Sequence, residues 1–242
     1  MKMKLKSKKA AAHDTTELTA IIQTKSLEQI RRQSHGFITL MSYYKCAMME
    51  VETKFNVLNE EFSLRFDRNP INSIHSRLKS PVSIEEKLAS KNLPMTLQAI
   101  ENNLNDIAGV RVICSFLDDI YLLADCLLQQ DDITLIERKD YIESPKPNGY
   151  RSLHLIVQIP IYLQAGKRNM RVEIQLRTIA MDCWASLEHQ LRYKKDVADT
   201  KQIHAELQRC AAISAELDTR MDCLRQQIID DSDFERRSEI GF

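Results

Sequence analysis

Residues 146–177 read KPNGYRSLHLIVQIPIYLQAGKRNMRVEIQLR, and their alternation constrains the fold more than any other stretch. Met170, Val172, Ile174 and Leu176 form one set, while Arg171, Glu173, Gln175 and Arg177 form the other. A period of two puts the sets on opposite faces of a strand. Upstream, Leu153, Leu155, Val157, Ile159 and Ile161 are the apolar set, with Ser152, His154 and Gln158 facing away. Residues 164–169 are polar, include Gly166 and read as the turn. The expectation is a β-hairpin whose polar face carries His154, Glu173, Gln175 and Arg177. A carboxylate, an imidazole, an amide and a guanidinium on one wall exceed what solubility requires. The Pro/Gly loop before the hairpin ends in Tyr150, an aromatic at the mouth of the sheet.

The remainder of the chain supplies layers for this hairpin. Phe37, Met41, Tyr44, Met48, Val51, Phe55, Leu58 and Phe62 recur at spacings of four and three, predicting a long helix after Gly36. Such a seam packs either on the chain's own core or on another subunit. Pro70 lies in the break that follows. Pro81 suits the first turn of a second helix, with Ser83, Lys87 and Lys91 on one face. Asp106 opens a β pattern through Cys114, in which Ala108 and Gly109 permit close approach to the backbone. Leu117 to Leu128 reads as an amphipathic helix, and residues 133–141 as a strand. After the hairpin, residues 179–194 predict a helix with Ala180, Trp184, Leu187 and Leu191 on one face. Leu207, Cys210, Leu217, Met221, Leu224 and Ile228 predict a last helix, frayed from Asp230. Strands with helices around them give an α+β class, a mixed sheet flanked by helices.

The expected divisions are a basic tail and short helix at 1–35, the long helix at 36–67, a catalytic domain at 68–195 and a C-terminal helix at 196–242. Asp14 or Thr15 is the expected cap of the short helix. Five lysines fall in residues 1–9. They read as a solvated tail, with an RNA contact as the alternative. Over the whole chain Lys plus Arg equals Asp plus Glu, 34 each, so no global charge argues for nucleic acid. Six cysteines without a CxxC pair suggest reduced thiols in a cytoplasmic protein. No apolar run approaches the ~20 residues of a membrane span. Neither a P-loop nor a GxGxxG motif occurs.

Asp106 at the start of one strand and Glu173 on the polar face of another suit Mg²⁺ carried by a nucleoside triphosphate, because Mg²⁺ takes a few carboxylates plus phosphate oxygens and water. Arg77, Lys79, Lys87, Arg111 and Arg177 are the candidates for neutralising phosphate charge. Tyr150 is the candidate to stack on a base.

Five blocks in order, RLKSPVSIEEKL (77–88), DIAGVRVIC (106–114), KPNGYRSLHL (146–155), VEIQLRT (172–178) and WASLEHQLRYK (184–194), resemble the small alarmone synthetases of the RelA/SpoT family. The resemblance implies a nucleotidyltransferase-like sheet and transfer of pyrophosphate from ATP to the 3′-hydroxyl of GDP or GTP. It implies that Arg77 and Arg111 sandwich adenine and that Lys79, Ser83 and Lys87 hold the ATP phosphates. Asp106 and Glu173 would hold Mg²⁺, with Glu173 also drawing the proton from the attacking hydroxyl. Tyr150 would stack on guanine beside Lys146 and Asn148, while His154, Gln175 and Arg177 contact phosphates. A homotetramer is implied, with single-stranded RNA a further partner of some members. Two rival readings are pyrophosphorylation of tRNA 3′ ends and a non-catalytic RNA-binding module on the same fold.

Overall fold

In a computed structural model, residues 4–66, 68–193 and 200–239 are described, with side chains described for 35–66, 68–191 and 202–228. The elements are α1 (Lys4–Phe66), β1 (Ile71–Leu78), α2 (Pro81–Ser90), α3 (Leu97–Asn103), β2 (Ala108–Cys114), α4 (Leu117–Leu128), β3 (Thr134–Asp140), β4 (Leu153–Leu163), β5 (Gly166–Thr178), α5 (Ile179–Tyr193) and α6 (Thr200–Glu239). The five strands form one sheet in the order β1-β2-β5-β4-β3. Only β2 and β5 pair in parallel, so the α+β mixed sheet is as expected.

The hairpin has the expected phases, since Leu153, Leu155, Val157, Val172, Ile174 and Leu176 are fully buried. Its turn is shorter than the sequence suggests. Leu163 pairs with Gly166, so only Gln164 and Ala165 connect the strands, and Gly166 adopts φ +117°. That left-handed backbone suits glycine.

Strand β1 and helix α3 have no counterpart in the sequence pattern. The β1 sequence INSIHSRL has no alternation and forms the edge of the sheet, where neither face must be apolar. Asn59 Oδ1 accepts from Ile71 N and ties its start to α1.

Helix α1 runs continuously from Lys4, so Gly36 lies inside it and neither Asp14 nor Thr15 is a cap. A Cβ at Gly36 would stand 2.9 Å from Leu97 Cδ1, so the missing side chain admits α3 close to the helix. The seam is spent within the chain. Tyr44, Val51, Phe55, Leu58 and Phe62 are buried in one core with Val110, Val112, Ile174 and Leu176. Of the two readings of the seam, packing on the chain's own core accounts for these buried residues. Each such large side chain contributes about 1.5–3 kcal/mol on burial. Helix α4 packs on the same core, through Ile120, Leu123 and Leu127.

The apolar faces of the last two helices also differ from expectation. In α5 the buried side is Met181, Trp184, Ala185 and Glu188, while Leu187 and Leu191 are exposed. In α6, Leu207, Ala211 and Asp218 are buried, and Leu217, Met221, Leu224 and Ile228 are exposed. Helix α6 continues past Asp230 to Glu239 rather than fraying. Residues 1–3 and the side chains of the lysine-rich start lie outside the described residues, as does Lys194. Among the described residues, no helix is long and apolar enough to cross a membrane.

Candidate active site

With α1 and α4 covering one side of the sheet, the alternate residues face the other. Strand register aligns them in transverse rows. His75 pairs with Arg111, Arg111 with Gln175, Gln175 with His154, and His154 with Lys139, one row across all five strands. The next row runs Arg77, Gly109, Glu173 and Ile156. Gly109 therefore leaves an open floor between a guanidinium and a carboxylate. A Cβ there would meet nothing nearer than the Arg77 carbonyl at 3.7 Å.

Over this floor lies a cavity of about 510 Å³, lined by His75, Ser76, Arg77, Lys79, Ser83, Asp106, Gly109, Val110, Arg111, Glu173 and Gln175. Seven of the expected site residues, Arg77, Lys79, Ser83, Asp106, Arg111, Glu173 and Gln175, thus share one wall. His75 and Ser76 join them from the unanticipated strand β1.

Asp106 enters from the turn before β2, which is anchored on either side by fully buried Leu104 and Ile107. Lys79 Nζ and Lys87 Nζ both donate to Asp106 Oδ2, at 2.7 and 2.5 Å. Burial alone would raise this carboxyl, but the two ammonium groups outweigh it and hold it below its ordinary value. Lys87 reaches the site from α2. That helix starts at Pro81 and is capped by Ser80, whose Oγ accepts from Ser83 N at 3.2 Å. Lys91 does not belong to the site. It lies past the end of α2 and donates to Asn103 O.

Glu173 is set in a closed ring of side chains. Gln175 Nε2 donates to Glu173 Oε2 at 3.0 Å, and Arg177 Nη2 donates to Gln175 Oε1 at 3.0 Å. Arg177 Nη2 also donates to Tyr150 Oη at 2.6 Å, Tyr150 Oη meets His154 Nε2 at 2.7 Å, and His154 Nδ1 lies 3.4 Å from Glu173 Oε1. The carboxylate at Nδ1 assigns the ring proton there, leaving Nε2 to accept from the tyrosine hydroxyl. Burial would raise Glu173, and the nearby Asp106 charge adds to that, yet His154 and Gln175 bring it below its ordinary value.

Tyr150, His154 and Arg177 belong to this ring and Lys146 and Asn148 flank it, and none of the five lines the cavity. Lys146 Nζ lies 4.7 Å from the Tyr150 ring centre and 4.4 Å from that of Tyr141. Burial lowers the Lys146 ammonium, with Lys139 and Arg177 adding to the effect against Glu173. Asn148 turns away: its Nδ2 donates to Glu188 Oε1 and its Oδ1 accepts from Tyr150 N, closing an Asx turn. Tyr150 is half-buried and does not line the cavity, with the Arg177 guanidinium 5.0 Å from its ring centre.

Sequence reasoning missed Asp182, which sits in the first turn of α5 and pairs with Arg111 and Arg177. No spacing marks it, because its partners lie on two strands. Tyr141 is edge-on to both Tyr150 and His154, a contact that its place at the end of the 133–141 pattern does not signal.

The residues present fit a divalent cation. Asp106 Oδ1 is buried with no hydrogen-bond partner, an arrangement that costs energy unless a ligand supplies one. Glu173 shares the cavity. Among the described residues no three His, Cys, Asp or Glu side chains gather, so further ligands must be phosphate oxygens and water.

Comparison with known proteins agrees with this geometry. Residues 76–198 match the model of the region found in RelA / SpoT proteins. The chain is 44% identical over 185 residues to GTP pyrophosphokinase YwaC of Bacillus subtilis (strain 168), covering 76% of this chain and 88% of that protein. Among solved structures, small alarmone synthetase 2 from Bacillus subtilis superposes with a TM-score of 0.70 at 42% identity, over 77% of this chain and 96% of that one. Small alarmone synthetase 1 from Bacillus subtilis, bound to its product pppGpp, gives a TM-score of 0.70 at 36% identity, over 76% and 94%. On the family match, the identity and the shared sheet, the chain belongs to the RelA/SpoT family, among its small alarmone synthetases.

Proposed function

We infer that the chain transfers the β,γ-pyrophosphate of ATP to the 3′-hydroxyl of GDP or GTP, giving AMP and guanosine tetra- or pentaphosphate. The observation that carries this reading is the convergence of Asp106 and Glu173 on one cavity with Arg77, Lys79 and Arg111. Its support from relatives is the name GTP pyrophosphokinase and the product-bound synthetase. These relatives lend no support to tRNA as acceptor or to a binding module without activity.

In the reaction the acceptor 3′-oxygen bonds to the β-phosphorus. The bond from that phosphorus to the α,β-bridging oxygen breaks, and AMP leaves with the bridging oxygen. Transfer of this kind rests on alignment and charge neutralisation. Arg77 and Arg111, on adjacent strands above the open Gly109 floor, take the adenine between planar guanidinium groups. Lys79, Ser83 and Lys87 hold the triphosphate, each ammonium already directed to this point by Asp106. Asp106 and Glu173 are the residues that would hold Mg²⁺, which when bound supplies positive charge to the phosphate oxygens. Glu173, kept ionised by His154 and Gln175, accepts a hydrogen bond from the 3′-hydroxyl, orients it and receives its proton as the new bond forms. Lys146, Asn148, Tyr150, His154 and Arg177 form the acceptor side, with Tyr150 stacking on guanine once its ring is released to the cleft. A homotetramer in the cytoplasm, and single-stranded RNA as a further ligand, belong to this proposal on the resemblance alone.

Purified chain incubated with ATP, Mg²⁺ and either GDP or GTP should form AMP and a guanosine nucleotide carrying a 3′-pyrophosphate. Folded protein that yields neither product overturns the reading.

A further inference from the structure

The loop that carries Tyr150 is held from behind by a helix that contributes nothing to the cavity wall. Gln208 Nε2, on α6, donates to Pro147 O at 2.6 Å. One turn on, Ala211 lies so close that a Cβ at Gly149, whose φ is +91°, would come within 2.5 Å of Ala211 Cβ. Two turns further, Asp218 Oδ2 accepts from Thr178 Oγ1 at 3.0 Å and lies 3.6 Å from Arg151 Nη1, with Asp218 buried. Thr178 closes β5, directly after Arg177, and its Oγ1 accepts from Met181 N at 3.1 Å to start α5. One face of α6 therefore fixes both ends of the acceptor machinery, the Pro147–Arg151 loop and the end of β5. Among the described residues, the donor-side Arg77, Lys79 and Ser83 have no contact of this kind with α6.

We propose that α6 is a positioning element for the guanine nucleotide, acting through Gln208 and Asp218 on the loop that carries Tyr150. This rests on the acceptor assignment made above. The physical reason is that a short loop of Pro, Asn and Gly cannot hold an aromatic ring in register unless its backbone is tied down. Gln208 is exposed and can be changed without opening the core. The single tryptophan of the chain, Trp184, donates from Nε1 to Leu207 O, so its fluorescence reports independently on whether α5 and α6 stay packed.

The experiment compares wild type, Gln208→Ala, Gln208→Lys and Asp218→Asn in the full chain. It measures KM for ATP and for GDP separately, GDP affinity by calorimetry, and Trp184 emission. For Gln208→Ala the expected result is a GDP KM and Kd raised about tenfold, the scale of one lost hydrogen bond, with ATP KM and Trp184 emission unchanged. Gln208→Lys restores a donor and recovers part of the loss. Should Asp218→Asn fail to fold, Gln208 alone decides. Equal changes in both KM values, or unchanged GDP affinity in Gln208→Ala, overturn the proposal. If wild type binds GDP but transfers no pyrophosphate, the enzymatic reading fails while the calorimetry still judges the brace.

Discussion

Arg111 Nη1 and Arg177 Nη1 donate to the same oxygen, Asp182 Oδ1, at 3.2 and 2.9 Å. One residue belongs to the proposed donor side and the other to the acceptor side, so Asp182 is their common counter-ion. Burial lowers the Arg111 guanidinium and the charge of Arg177 adds to this, while Asp182 opposes both. Asp182→Asn should lower kcat/KM for both nucleotides by about tenfold or more. Stability should fall by about 2–4 kcal/mol, since Arg177, 5% exposed, is left a buried charge short of its carboxylate, while Arg111, 38% exposed, is partly screened. Steady-state kinetics on each substrate and urea unfolding check the two numbers.

Asp106→Asn removes the counter-charge of Lys79 and Lys87. The cavity becomes more positive, so without Mg²⁺ an ATP analogue that cannot be cleaved should bind at least as tightly as to wild type. Turnover should fall by about 10³-fold, because one of the two carboxylates that would hold Mg²⁺ on the triphosphate is lost. Calorimetry and a product assay separate the two effects, and weaker analogue binding would contradict the assignment.

Gly109→Ala distinguishes the fold from the site. The added methyl meets no protein atom closer than 3.7 Å, so the melting temperature should stay within about 2 °C of wild type. The same methyl projects into the nucleotide space, and KM for ATP should rise about five- to tenfold. A thermal melt beside an ATP titration tests this.

Acid stability follows from the depressed carboxyls. Asp106 and Glu173 both titrate below their ordinary values of 3.8 and 4.5, so their contribution is complete above those values. It is lost as pH falls through the lower native ones. Asp119 and Asp218 are raised by burial and act with the opposite sign near this range. The quantity to read is therefore the difference between wild type and Asp106→Asn. Below about pH 4 wild type should lose stability more steeply, as measured by melting temperature against pH.

Phe55→Ala should cost about 3–5 kcal/mol, because Phe55 is fully buried between α1 and the sheet. If the α1 seam serves this core, the variant's mass in sedimentation remains that of wild type.

The hairpin was readable in the sequence from its strict alternation, and the local blocks at 77–88 and 106–114 marked residues that line the cavity. Strand β1 was not, since an edge strand with only Ile71, Ile74 and Leu78 apolar carries no period. The helical seams showed which residues share a face but not what covers it. Phe37 to Phe62 turned out to meet the sheet, whereas Leu217, Met221, Leu224 and Ile228 face outward. Asp182 depends on the register of β2 against β5, strands distant in sequence, and the ring through Tyr150 and His154 depends on side-chain pairings that sharing a hairpin face does not specify.

Strands β2 and β5 spell the core and the chemistry on alternating letters. A one-residue insertion or deletion inside either strand would flip Arg111 or Glu173 toward α1 and expose its valine and isoleucine neighbours, damaging both properties in one event. Length changes among kindred chains must therefore accumulate in connections such as Gln164–Ala165, and alignments of this family should show ungapped blocks over 108–114 and 166–178.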